Sequence, residues 1–298
     1  MKKILLSILA LMLLLPISAL ADTEKNQEVI DEKLGVPIVV YGANLTAEQK
    51  VSVQQALKVS ESATIEEIEV TGADLATYIK DGNPSARMFS SAKITRTEEG
   101  KGLVISIVTP DNITQVTNEM YANAMLTAGI ENATVEVAAP SPVTGHSALV
   151  GIYKAYEATG EQLDSERTDV ANEELSVATI LSEESGVDQE KVSELLTEIK
   201  KQIAEQNPAT REDVEQIVSD QLSRLQIELS EQDRQLLIDL MDRIRQLDID
   251  FSQWSTQLND LSKTIQDQLT TIVENEGFWN SVRKFFDDLM TSIRSIFN

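Results

Sequence analysis

No cysteine occurs among the 298 residues. This excludes disulfides, thiolate metal ligands, a cysteine nucleophile and an acylated cysteine anchor. Histidine is nearly as scarce, with His146 alone. Zinc sites draw on several His or Cys ligands, so zinc lacks the means to bind. A Ser-His-acid triad would have to run through His146, whose neighbour Ser147 cannot easily face it, and no G-x-S-x-G turn is present. Thr144-Gly145-His146-Ser147 reads instead as a helix entry, with Gly145 turning the chain and the hydroxyl of Thr144 or Ser147 capping it.

Bases are outnumbered, 25 against 49 acids, for a net charge of −24. Phosphate backbones are bound by clustered Lys and Arg, so nucleic acid is excluded as a partner. The acidity is concentrated late: residues 22–156 carry 18 acids and 10 bases, whereas 157–298 carry 31 and 13. Neither a phosphate-cradling G-x-x-x-x-G-K-[ST] nor a dinucleotide G-x-G-x-x-G occurs, and no cofactor is expected. Oxygen ligands for calcium abound, but Asp248-Ile249-Asp250 lacks the glycine and the terminal glutamate of an EF-hand loop. Acid pairs suited to glycoside hydrolysis are equally uninformative in so acidic a chain. Aromatics that would stack on sugars are few, 13 in all.

Long hydrophobic runs are absent after the first 21 residues. There, Lys2 and Lys3 precede the apolar Ile4–Leu15, then Pro16 and Ala19-Leu20-Ala21. A basic start, a short greasy centre and an A-x-A exit form a secretory signal peptide, with cleavage expected between Ala21 and Asp22. Pro16 leaves the run short of the roughly 20 residues a spanning helix needs. The mature chain is thus expected outside the cytoplasm, secreted or retained at the cell envelope.

Residues 22–142 read as an α+β domain, a mixed sheet with packed helices. Val36–Tyr41 suits a buried strand. Thr46 and Gln49 form a capping box before a helix with Val51, Val53, Ala56, Leu57 and Val59 on its apolar face. Ile65–Val70 is a half-exposed strand, and Ala73–Ile79 a short helix. Met88–Thr97 and Leu103–Thr109 flank Glu98-Glu99-Gly100-Lys101-Gly102, which predicts a hairpin. Asn112 is placed to cap the next helix, which carries Val116, Met120, Met125 and Leu126 and stops at Gly129; Thr134–Ala138 is the last strand. Asn-x-Thr triplets at Asn44, Asn112 and Asn132 are read as local capping chemistry rather than glycosylation acceptors.

An all-α bundle is expected to follow. Within a helical region, 143–229, the pattern predicts helices over 147–158, 163–184, 188–206 and from Thr210 onward. From Ser230, Leu237, Leu240, Ile244, Leu247, Phe251, Trp254, Leu258, Leu261 and Ile265 recur three and four residues apart. This predicts one long coiled-coil-like helix over 230–276, with its stripe covered either by sister helices of a monomer or by a homodimer partner. The last segment, 277–298, is an aromatic amphipathic helix. Phe278, Trp279, Val282, Phe285, Phe286, Leu289 and Ile293 make a candidate interaction face for the protein itself, a membrane surface or a partner groove.

Three stretches taken together resemble one family. They are Val40–Gln49, the run Thr144-Gly145-His146-Ser147-Ala148-Leu149-Val150-Gly151-Ile152-Tyr153-Lys154-Ala155-Tyr156-Glu157, and Leu240–Ile244 with Gln246–Ile249. The chain over roughly 36–270 is similar to the YpuA-like secreted proteins of Gram-positive bacteria, a domain family of unknown function. The resemblance implies export and the two-part layout, and it carries no catalytic residues. The functional expectation is a non-catalytic binding or spacer protein of the cell envelope. The alternatives are an extracellular hydrolase of wall polymer or peptide acting through carboxylates, and a membrane-surface protein using 277–298.

Overall fold

The computed structural model describes residues 34–59, 64–250 and 254–266. The signal segment, the lead-in to residue 33 and the aromatic face at Phe278–Ile293 lie outside the described residues.

Five strands form one sheet: β1 (Ile38–Gly42), β2 (Glu66–Val70), β3 (Ser91–Arg96), β4 (Leu103–Ile107) and β5 (Ala133–Ala138). Their order is β2-β1-β3-β5-β4. The β1–β2 and β4–β5 pairs are parallel, and only β3 runs against its neighbours. Alternation assigns the faces. Ile38, Val40, Ala92, Ile94, Val135 and Val137 enter the main core, while Val39, Tyr41 and Ala138 meet α1 (Ala47–Ala56) on the other side.

Thr46 caps α1 in the expected box: its side chain accepts from Gln49 N–H, and the Gln49 side chain accepts from Thr46 N–H. Val51 nevertheless stands 51% exposed, because two residues turn an α-helix by about 200° and so set it on the side opposite buried Val53.

The hairpin between β3 and β4 does not form; β5 lies between them. Asn132 explains how the loop crosses that gap. Its carbonyl accepts from Thr97 N–H, and its side chain accepts from Gly102 N–H. Both sides of the 97–102 loop are therefore tied to the start of β5. Asn112 is likewise no helix cap. It ends a 3-10 turn, Pro110–Asn112, and its amide donates to the Ala139 carbonyl. The helix α3 (Asn118–Ala128) begins later, with Thr117 as its cap, and stops at left-handed Gly129 as predicted. Asn44 accepts from Met88 N–H, so all three Asn-x-Thr asparagines hold backbone in place.

The short α2 (Gly72–Tyr78) and the long α4 (His146–Ala158) complete the layer on the main-core face. The run singled out in the sequence is α4 and its entry, and its glycines have packing reasons. Gly145 has φ +105°, and a Cβ there would stand 2.8 Å from Ile113 and 2.9 Å from the Tyr121 hydroxyl. A Cβ at Gly151 would press on Val40 at 3.1 Å, so the glycine lets α4 lie close on β1. No hydroxyl caps α4; the left-handed Gly145 occupies the cap position.

Four helices follow: α5 (Ser165–Glu183), α6 (Gln189–Gln206), α7 (Arg211–Leu225) and α8 (Glu231–Gln246). Val192, Leu195, Leu196, Ile199 and Ile203 are all buried, as their spacing on α6 predicts. The expected single helix from Ser230 breaks at Leu247, whose backbone is extended, and helical structure resumes at residues 254–266. Trp254 N–H bonds the Asp250 carbonyl as the new helix starts. Apolar spacing reports which residues face inward and not whether the helix is continuous. Leu237, Leu240, Ile244, Leu247, Trp254, Leu258 and Ile265 all stay buried across the break. Their cover comes from the same chain. Sheet and helices share one apolar cluster, from Ile38 through α4 to Leu258.

Candidate functional site

A groove of about 390 Å³ runs between the free edge of β4 and the helical residues 254–266. Its β4 wall is Leu103–Ile105, its floor is Asn118, Glu119, Ala122 and Leu126 of α3, and its far wall is Gln257, Asp260, Leu261 and Thr264. The last four are spaced i, i+3, i+4, i+7, one face of a helix. Trp254, Leu258, Ser262 and Ile265 point the other way, into the protein. One face of this helix thus anchors it, and the other lines the groove.

The anchor is a buried charged cluster. Lys200 of α6 and Glu174 of α5 are fully buried and paired at 2.6 Å. Thr127 donates to Glu174 at 2.5 Å, the Lys200 amine also reaches the Asn123 carbonyl at 3.0 Å, and Asn123 and Thr197 bond one another. Trp254 lies over the Lys200 ammonium, 5.5 Å from ring centre to nitrogen. Burial pulls the Lys200 amine below its ordinary value, and Glu174 opposes that shift. A second tie comes from Ser262, whose hydroxyl donates to Glu198 at 2.5 Å. Burial pushes Glu198 upward, but Ser262, Lys201 and Arg224 together hold it below the ordinary carboxylate value. Both ties fix helix 254–266 against α6, and so set the groove's width.

On the β4 side, backbone direction decides what the groove offers. The Gly102 carbonyl and the Val108 N–H bond β5, so the odd residues between them turn their N–H and C=O to the free edge. Ile107 N–H is satisfied there by the Asn118 side chain at 2.9 Å. Among the described residues nothing bonds the main-chain groups of Leu103 and Ile105 on the groove side. Glu119 sits in the floor only 6% exposed, and no cation pairs with it among the described residues. Its charge adds to the upward push on Glu190, which comes chiefly from the hydrogen bond with Asp188 and from burial. The Gln257 Oε1 atom is buried without a hydrogen-bond partner. The groove is therefore a site of acceptors and open main chain, with Lys101 the base in its lining.

His146 lies elsewhere, at the start of α4, where Nε2 is 3.3 Å from the Thr179 hydroxyl. Burial lowers its pKa, and Glu183 works against that. Among the described residues no cluster of His, Asp or Glu is arranged to hold a metal, and no helix is long and apolar enough to cross a membrane.

The groove is not legible in the sequence. Its far wall is the polar complement of a stripe whose signal is apolar, and the β4 edge depends on the insertion of β5, which no local pattern announces. Lys200 is legible in principle: it is a charge in phase with Leu196 and Ile203 on an apolar helix face.

Comparison with known proteins adds a family. The model of a family described as a protein of unknown function (DUF1002) matches residues 41–261. That span includes every groove residue except Thr264. The uncharacterized protein YpuA of Bacillus subtilis (strain 168) is 33% identical over 309 residues, covering 100% of both chains. No solved structure matches. With more than half of its length matched, and a relative aligned from end to end, the chain belongs to the DUF1002 family.

Proposed function

We propose that this is an exported, non-catalytic binding protein of the cell envelope, monomeric and cofactor-free, and that the groove between β4 and helix 254–266 is its binding surface. The observation carrying this reading is the uncharged free edge of β4, whose odd residues turn main-chain groups into a groove floored by Glu119, a carboxylate with no cation beside it among the described residues. A bound partner that supplies donors would pair with that carboxylate and with the open edge. Export is supported by the signal-peptide pattern of residues 1–21. The single histidine stands apart from the groove, paired with Thr179.

Two measurements test this. Fractionation of producing cells should find the chain outside the membrane and shortened at Ala21; an intact chain in the cytoplasm refutes export. A photo-crosslinking side chain at groove residue Thr264, applied on intact cells, should capture a partner that the same side chain at Val51 on α1 does not. Equal capture from both positions removes the groove from the argument. Turnover of wall fragments, esters or peptides that is lost in Glu119→Gln would replace binding with hydrolysis.

A further inference from the structure

We propose that the groove binds an extended peptide segment of another polypeptide, carrying a basic side chain, which adds as a sixth strand to the free edge of β4. The inference rests on the groove being the binding surface, and it names the occupant.

The sheet's two edges differ. At the far edge, β2 exposes Glu66, Glu67 and Glu69, and charges of this kind prevent another strand from pairing. The β4 sequence, Leu-Val-Ile-Ser-Ile, has no charge, is rich in β-branched residues, and leaves Val104 56% exposed. Such an edge is a liability unless something pairs with it. The protein itself satisfies one edge donor, Ile107 N–H, through Asn118. The next two odd residues, Ile105 and Leu103, face the groove. A strand placed there would exchange main-chain hydrogen bonds with them, the mode in which backbone supplies affinity and alternate side chains supply specificity.

Charge selects the occupant's sequence. Glu119 in the floor and Asp260 in the far wall are carboxylates that a Lys or Arg side chain would satisfy. The chain's net charge of −24 also favours a basic segment at a distance and repels an acidic one.

The test uses the full chain from Asp22 and a labelled nonapeptide of alternating valine and lysine, read by fluorescence anisotropy. Saturable binding is expected, weakened about tenfold or more by Glu119→Gln, as loss of a charged hydrogen bond implies. A peptide with glutamate in place of lysine should not bind. N-methylation of alternate peptide nitrogens should abolish binding, and it tests the strand pairing without altering the protein. Ile105→Pro, which removes an edge N–H, should do the same where it folds. Binding indifferent to N-methylation, or absent altogether, overturns the proposal. So does binding that appears only after residues 267–298 are deleted, because the chain's own terminus is then the occupant. If the peptide fails while cross-linking from Thr264 succeeds, strand addition falls and the binding surface stands.

Discussion

Lys200 and Glu174 pose the sharpest energetic question at the scale of single residues. Each charge loses its water on burial, and their attraction offsets that cost only because Thr127, the Asn123 carbonyl and the Trp254 face complete the shell. Lys200→Met strands Glu174, and urea unfolding should show a loss of about 3–5 kcal/mol. Lys200→Met combined with Glu174→Leu should recover most of it, since no charge is then left buried. A double variant as unstable as the single one would mean that the packing, and not the pair, was responsible. His146 supplies a pH dependence. Burial sets its folded pKa below the ordinary 6.5, so as pH falls the unfolded chain takes up the proton first. The stability this histidine leaves intact above about 6.5 is lost as pH drops towards the folded pKa. Stability curves of the natural chain and of His146→Gln should diverge below that point, with the natural chain losing more. Parallel curves would mean the imidazole titrates alike in both states.

Among the elements, those set by neighbouring residues are legible in the sequence and those set by distant pairing are not. The Thr46–Gln49 box, the Gly129 stop and the buried face of α6 depend on spacings of one to four residues, which a sequence displays directly. Placement of β5 between β3 and β4 depends on Asn132 bonding both ends of a loop 30 residues away, and the two glycines in that loop mimic a hairpin turn. The stripe from Leu237 to Ile265 is right about burial and misleading about continuity, because the break at Leu247 keeps the spacing. That break makes helix 254–266 a separately attached piece, held through Trp254, Leu258 and Ser262. Trp254→Ala removes its largest buried contact. Hydrogen exchange should show the amides of 255–266 losing protection while β1, β3 and β5 keep theirs, since these are the inner strands of the sheet and none of them lines the groove that this helix walls. Uniform loss across the protein would show that the helix and the sheet unfold as one unit.

At the scale of the whole molecule, the division near residue 142 marks a change of secondary structure more than a change of core. Composition and periodicity shift there, from alternating strands and short helices to long amphipathic helices, and that shift is what a sequence makes visible. Packing ignores it. Leu149, Val150, Ile152 and Tyr153 of α4 are buried in the same cluster as Val40, Ala92 and Ile94 of the sheet, and α3 buries Asn123 and Thr127 against α5 and α6. A fragment ending at residue 142 would keep all five strands with α2 and α3 but lose α4 and the helices behind it, exposing apolar side chains of the three strands that α4 covers, together with Tyr121, Met125 and Leu126. Apolar surface returned to water costs roughly 25 cal/mol per Å², and a domain's whole stability is only about 5–15 kcal/mol. Residues 22–142 produced alone should therefore lack a cooperative thermal transition and bind a hydrophobic dye. The chain from Asp22 to its end should unfold in a single transition whose calorimetric and van't Hoff enthalpies agree. A sharp transition in the short fragment would show instead that the sheet folds alone and that the helices dock on it afterwards.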